Sequence, residues 1–467
     1  MLTKSKYLKG LQCSRLLWKA EKKELPEISL ADQHRFNQGA LFEKEVHKLF
    51  KGVNLSELEF KENIDKTKEL VDNKKTIFEA GFQYNDLYVR SDILEFDDGW
   101  NLYEIKSTTS VKKHHIPDLA FQKYVLKKLG IEVKKCFVLF LNKEYVKKGK
   151  IDVKQLVSKE EVTEKVNEVE IEPDKYLEVL KGSLPDMIIS PNCNKPYPCP
   201  LKKECWGTLP KDNVLQLRKW QVYWKLFNSG IIEMKDVPDE GLTRTDMRIR
   251  NAAVSGKVFV SKDKIKEFLD KLVFPLYHFD FETFDTAVPI YDNSRPYQKI
   301  AFQYSLHIQS DKLEHFEYLA DGKKDPRIGL LKKLKNEIKG KGSVVVFNKS
   351  FEISVFKKLA EDFPSEKPWI DDVISRIIDL ADVFKVYDYY NPKQKGSYSI
   401  KKVLPAITGK GYSELEIGDG AEASARYFCT YIDKSLKEDI KKELLEYCCL
   451  DTEGMVWVVG ELGKLVK

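Results

Sequence analysis

No stretch of this 467-residue sequence is apolar enough to span a bilayer, which takes about 20 residues. The start, Met1-Leu2-Thr3-Lys4-Ser5-Lys6, is polar and leads into no secretory apolar segment. Both absences set the expectation of a cytoplasmic protein that keeps out of membranes. There is no low-complexity tract and no internal repeat, which argues against disordered and solenoid classes. Neither charge sign dominates: 79 Lys and Arg face 73 Asp and Glu, a net charge of +6. The chain as a whole is therefore no basic nucleic-acid coat. What is present is 42% hydrophobic residues in a chain too long for one ordinary domain, so two or three cores are expected.

The most informative residues are acids. Asp280 and Glu282 lie in Tyr277-His278-Phe279-Asp280-Phe281-Glu282-Thr283. Flanking aromatics make this a strand, and the side-chain period of two puts both acids on one face. Far downstream, Tyr447 and Asp451 are i and i+4 in a helical segment and share a face. Mg²⁺ or Mn²⁺ in a two-metal phosphodiesterase needs several carboxylate oxygens of this kind. Between these ends, residues 301–308 and 313–319 read as two more strands of an antiparallel meander. A helix over 327–338 follows, then the β-branched strand Val344-Val345-Val346-Phe347. Asn348 ends that strand, and Phe351-Glu352 opens a helix whose Ile353, Phe356 and Leu359 have helical spacing.

This order, with Asp280-x-Glu282, Asn348…Phe351-Glu352 and Tyr447-x-x-x-Asp451, resembles the ribonuclease-H-like fold of DnaQ-type 3′→5′ exonucleases. The resemblance implies that Asp280, Glu282, Glu352 and Asp451 hold two divalent ions and that Tyr447 orients the attacking water. The family usually has Asp where this chain has Glu352.

In the amino-terminal half, residues 87–96 read as a strand holding Asp92. Asp97-Asp98-Gly99 then gives a hairpin turn, and Trp100–Lys106 returns with Glu104 and Lys106 on one face. A helix over 116–129 and a strand over 136–141 follow. A Glu-x-Lys pair on a strand is common as plain surface charge. The order His47, Asp92, Glu104-x-Lys106, Gln122 resembles the RecB-like branch of PD-(D/E)xK nucleases. It implies a metal held by Asp92, Glu104, His47 and the carbonyl of Ile105, with Lys106 at the water or phosphate and Gln122 in support. The family's tyrosine, four residues after the glutamine, is here only two away, at Tyr124.

Eight cysteines in a chain expected to be cytoplasmic point to metal rather than disulfides. Cys193, Cys199 and Cys205 cluster in the Pro-rich stretch 191–206, and Cys13 stands near the start. One early and three late cysteines resemble the iron–sulfur arrangement of AddB-type and CRISPR-associated RecB-like nucleases, which implies a [4Fe–4S] cluster. Zn²⁺ is the alternative, since thiolates suit both. Cys136 reads as core, and Cys429, Cys448 and Cys449 as buried free thiols.

The fold class expected is α/β (α+β). Residues 1–210 form a PD-(D/E)xK domain with the cysteine site, 211–272 a helical connector, and 273–467 the exonuclease domain. The pairing of halves, with Gly396-Ser397-Tyr398-Ser399-Ile400-Lys401, resembles a bacterial family known only as a domain of unknown function. Residues 111–150 hold eleven Lys against three acids, a stripe suited to phosphates or a plain solvated face. The function expected is a metal-dependent nuclease in DNA processing, repair or defence, with DNA expected ahead of RNA. The alternative is a non-catalytic nucleic-acid-binding or scaffold protein with a structural metal site.

Overall fold

The computed structural model describes the chain apart from residues 434–436. The fold is mixed α/β. The chain forms two compact units: Met1–Thr208 with Thr286–Gln298, and Leu209–Asp285 with Lys299–Lys467.

The first unit is built on a seven-stranded sheet. Its strands are β1 (Leu2–Thr3), β2 (Val53–Asn54), β3 (Ile77–Tyr84), β4 (Leu87–Phe96), β5 (Trp100–Lys106), β6 (Val133–Leu141) and β7 (Val157–Glu161). The order is β2-β3-β4-β5-β6-β7, and β1 pairs in parallel with the start of β4 through Leu2↔Leu87 and Thr3↔Tyr88. The β4–β5 hairpin turns where the sequence expects it, with Asp98 at φ 48° and Gly99 at φ 127°. Glycine carries the latter without a side-chain clash. β5 and β6 are parallel, which requires a crossover, and the Ile116–Lys128 helix supplies it. That helix buries Leu119, Phe121, Val125 and Leu126 against the sheet, together with the polar Asp118 and Gln122. Residues 286–298 belong to this unit: the Ala287 N–H donates to Gln38 Oε1 (2.9 Å), and the Tyr297 hydroxyl to the Ser107 carbonyl (2.5 Å).

The second unit contains β8 (Phe259–Val260), β9 (Leu276–Phe284), β10 (Ile300–Gln309), β11 (Leu313–Leu319), β12 (Val344–Val346), β13 (Ile377–Asp379) and β14 (Tyr389–Tyr390). The main sheet has the order β11-β10-β9-β12-β13; β8 and β14 pair separately. β9, β10 and β11 are the antiparallel meander expected from the sequence, whereas β12 and β13 run parallel to β9. The last helix, Glu438–Val466, packs on β9 and β10. Its buried positions Leu444, Tyr447, Cys448, Asp451, Met455 and Val458 recur every three or four residues.

One expected element is different. Apolar spacing suggests one helix from Asn213 to Leu226, but the backbone makes a 3₁₀ turn at Val214–Gln216 and a separate helix at Trp220–Asn228. The break has a tertiary cause: Asp246 draws the Arg218 N–H (2.7 Å) and the Lys219 N–H (3.4 Å) out of any helical ladder. Residues of this segment share a core with Tyr387 and Tyr390.

Two candidate acidic centres

In the second unit, β9 presents Asp280 and Glu282 on one face. β12 ends at Asn348, whose backbone is left-handed (φ 85°), and the chain then enters the Lys349–Asp362 helix with Glu352 in its first turn. Asp379, at the end of β13, holds this corner: it accepts the N–H groups of Asn348 (2.8 Å) and Lys349 (3.0 Å) and the Lys385 ammonium (2.6 Å). The last helix adds Tyr447 and Asp451. Asp280, Glu282, Glu352, Tyr447 and Asp451 line one cavity of about 230 Å³ together with Asn348 and Lys401. Glu282, Glu352 and Asp451 are each at most 7% exposed.

Four carboxyls lining one cavity cannot all stay ionised. Burial, then the charges of Asp451 and Glu282, push Asp280 well above the ordinary carboxylate range. Burial and Asp451 raise Glu282 to about 8, and burial and Asp379 raise Glu352 to about 8. Asp451 rises only to about 6, because a hydrogen bond from Tyr412 and the charge of Lys401 oppose its burial. Lys401 is the one basic side chain lining the cavity among the described residues, and its ammonium lies 4.8 Å from the Tyr447 ring centre. Glu352 Oε2 is buried and finds no hydrogen-bond partner among the described residues. Cys448 lies beside this group: its Sγ is 3.9 Å from Asp280 Oδ2, and burial raises its pKa, so it stands there as a thiol.

The first unit holds the second centre. Asp92 on β4, Glu104 and Lys106 on β5, and Gln122 on the crossover helix do converge. The Ile105 N–H donates to Asp92 Oδ2 (2.7 Å), Lys106 to Glu104 Oε1 (2.6 Å), and Gln122 Nε2 to Glu104 Oε2 (2.6 Å). Two members were not singled out from the sequence. Asp118, one helical turn before Gln122, pairs with Lys106 (2.7 Å). Lys4 places its ammonium 3.0 Å from Glu104, 3.4 Å from Asp92 and 3.6 Å from Asp118. Burial alone would lower the pKa values of Lys4 and Lys106, but these carboxylates outweigh it and hold both up. Glu43 and Glu79 border the centre, each raised to about 7 by burial and then by Asp92.

His47 sits one turn after Glu43 on the Leu30–His47 helix. Its ring stacks on Phe78 at 4.3 Å, and its Nε2 is 3.8 Å from Glu43. Tyr124 lies outside the carboxylate group, against the apolar core and under the Lys128 ammonium (5.4 Å).

Cys13, Cys199 and Cys205 share one cluster with Leu16, Leu201 and Trp206. Cys13 joins the Lys4–Gln12 and Ser14–Glu21 helices; Cys205 is on the Lys202–Trp206 helix. The Cys199 N–H donates to the Cys193 carbonyl (2.9 Å), and Gln12 ties its helix to the carbonyls of Asn192 (2.8 Å) and Tyr197 (2.9 Å). Burial raises the Cys199 thiol, and Cys13, Cys193 and Cys205 each add to that rise. No three of these sulfurs lie within 4.8 Å of one another. A smaller group, His307, His315 and Cys449, brings three potential ligand atoms within 4.8 Å, with Ser305 and Thr452 hydroxyls already bonded to the two imidazoles.

A family model described as "Domain of unknown function (DUF2779)" matches residues 277–399, from β9 to just before Lys401. Similar curated proteins include "Uncharacterized protein UU173" of Ureaplasma parvum, 29% identical over 40% of this chain and 31% of that protein. Two others are "Uncharacterized protein MG366" of Mycoplasma genitalium (29% identical; 46% and 36% of the two chains) and its Mycoplasma pneumoniae homolog (32%; 42% and 33%). The matches thus span about a third of the length of each relative.

Proposed function

We propose that this protein is a metal-dependent nuclease acting on nucleic acid, with DNA ahead of RNA as substrate. The carboxy-terminal centre is read as a 3′→5′ exonuclease site on a ribonuclease-H-like domain over 273–467. The amino-terminal centre is read as a PD-(D/E)xK, RecB-like site on a domain over 1–210, with 211–272 as connector. One observation carries the reading: four carboxyls from three separate parts of the chain, three of them buried, line one cavity with a single lysine among the described residues. The orphaned Glu352 Oε2 is an acceptor suited to a cation.

Asp280, Glu282, Glu352 and Asp451 would hold Mg²⁺ or Mn²⁺. Such ions supply Lewis-acid stabilisation of the phosphoryl oxygens and a nucleophile at neutral pH. The chain's own residues do the rest. Tyr447 and Lys401 face the cavity beside the acids, where a phenol can orient water and an ammonium can meet phosphate charge. Tyr412 fixes Asp451 by a hydrogen bond, and Asp379 fixes the corner that carries Glu352. In the amino-terminal centre Asp92 and Glu104 would hold the metal, and Lys106 would face the phosphate.

The cysteine site is read as a [4Fe–4S] cluster. The preference over Zn²⁺ rests on the resemblance to iron–sulfur RecB-like nucleases, since thiolates suit both.

The test is incubation of end-labelled single- and double-stranded DNA and RNA with Mg²⁺ or Mn²⁺. Asp280→Ala is expected to abolish 3′ trimming, and Lys106→Met to remove the activity that survives it. Undiminished trimming in Asp280→Ala would overturn the exonuclease assignment. Binding without cleavage on every substrate would favour the scaffold reading.

A further inference from the structure

The amino-terminal centre contains its own cations, and one of them stands on both expected metal ligands. Among the described residues, Lys4 is the one cation recorded in ion pairs with both Asp92 and Glu104. Its Nζ donates to Asp92 Oδ1 (3.4 Å) and to both oxygens of Glu104 (3.0 and 3.1 Å). The other donors are placed differently. Lys106 and Gln122 each bind Glu104 and Asp118, and the Ile105 N–H takes Asp92 Oδ2. With Asp118 included, three carboxylates face two ammonium groups, which leaves a formal charge of −1 before any ion binds.

The backbone beside Lys4 is fixed. Leu2 is fully buried and its N–H donates to the Asp86 carbonyl (2.7 Å), β1 pairs with β4, and Thr3 caps the Lys4–Gln12 helix through Lys6 N–H (3.3 Å). What can move is the four-carbon side chain, which keeps 22% of its surface open to solvent. A compact ammonium on such a stem is an exchangeable point charge.

We propose that Lys4 is a built-in competitor for the divalent ion of the amino-terminal centre: its ammonium occupies the Asp92–Glu104 carboxylates and must swing out before the ion is held. This rests on reading that centre as a nuclease metal site. The consequence is a centre that stays charge-compensated at low divalent concentration and fills only when the ion outcompetes the side chain. Removing the ammonium should tighten ion binding by roughly ten- to hundred-fold, the size of effect that groups bonded to metal ligands have on affinity.

The experiment uses the full chain with Asp280→Ala and Asp451→Ala, which disables the other centre. Mn²⁺ alone is titrated, and free Mn²⁺ is read by electron paramagnetic resonance. Adding Lys4→Met should tighten the ion that Asp92→Ala removes, whereas Lys4→Arg, which keeps the charge, should not. Lys4→Gln, polar and uncharged, replaces Lys4→Met if the latter fails to fold. Equal affinity in the parent and in Lys4→Met or Lys4→Gln overturns the competitor role while leaving the metal centre standing. An Asp92-dependent ion absent from the parent and from the Lys4 variants alike overturns both.

Discussion

The two acidic centres solve the same problem in opposite ways. Each gathers carboxylates out of water. The amino-terminal one balances Asp92, Glu104 and Asp118 with Lys4 and Lys106 at 2.6–3.6 Å. The carboxy-terminal one sets Asp280, Glu282, Glu352 and Asp451 against Lys401 and keeps its acids partly protonated instead. Two unit charges 4 Å apart interact by about 4 kcal/mol at an effective dielectric of 20. Repulsion on that scale has to be relieved by protons or by an external cation where no ammonium is supplied. One centre is therefore compensated mostly by its own lysines, and the other depends more on what solution provides.

The largest effect that sharpens this contrast is on chemistry. Asp280→Ala should reduce Mg²⁺-dependent 3′ trimming to background, because no neighbouring side chain can replace that oxygen donor. An end-labelled strand resolved on a gel reads it directly.

Next comes a difference of sign in stability. In metal-free protein at pH 8, Glu282→Gln should raise the unfolding temperature by removing one of several repelling acids. Glu104→Gln should lower stability by about 2 kcal/mol. That is less than the roughly 3–5 kcal/mol lost when a fully buried pair is broken on one side, because Lys4 and Lys106 reach solvent. Differential scanning fluorimetry compares the two, and destabilisation by both would break the contrast.

A smaller effect is the pH dependence. The folded state keeps protons on Asp451 up to about 6 and on Glu282 and Glu352 up to about 8, above the values the same acids have unfolded. Their contribution is full below the ordinary carboxylate range and is lost as pH rises through about 6 and then about 8. A divalent ion takes the place of those protons. The rise in unfolding temperature on adding Mg²⁺ should thus be small at pH 5 and largest near pH 8. In a variant with Asp280→Ala and Asp451→Ala this growth should flatten, while the pH slope from Glu43 and Glu79, both near 7, remains.

The smallest is Tyr412→Phe. It removes the hydrogen bond to Asp451 and should weaken Mn²⁺ binding at the carboxy-terminal centre by about tenfold, at the low end for such partners. Titration of the ion checks it.

What the sequence made legible follows from the range of the interactions. β9 and the β4–β5 hairpin are local: alternation, aromatic flanks and an Asp-Gly turn write them into a few residues. Asp280 with Glu282, Glu104 with Lys106, and Tyr447 with Asp451 were visible because each pair lies within one element. Lys4, Asp379 and Tyr412 were not, because each reaches its centre through pairings far apart in sequence, and Asp118 was passed over as well. Lys4 stands 100 residues from Glu104, and Tyr412 stands 39 from Asp451. Only Asp118 left a local signal, one turn before Gln122 on the same helix face. Cys448 read as an inert buried thiol, since nothing local shows that its helix turns it toward Asp280. The Asn213–Leu226 helix failed for the same reason, because the carboxylate that interrupts it comes from Asp246.

The stretch 286–298 has a consequence for how this protein can be taken apart. It lies between β9 and β10 in sequence but belongs to the unit formed by Met1–Thr208. The polypeptide therefore passes from one unit to the other three times, and no single protease cut yields both units whole. A fragment ending at Thr208 lacks the segment whose Ala287 and Tyr297 bind Gln38 and Ser107, and its complement carries that segment with nothing to fold against. Gene fission at one site, or recombination that moved either unit alone, would leave a gap in one unit and a loose strap on the other.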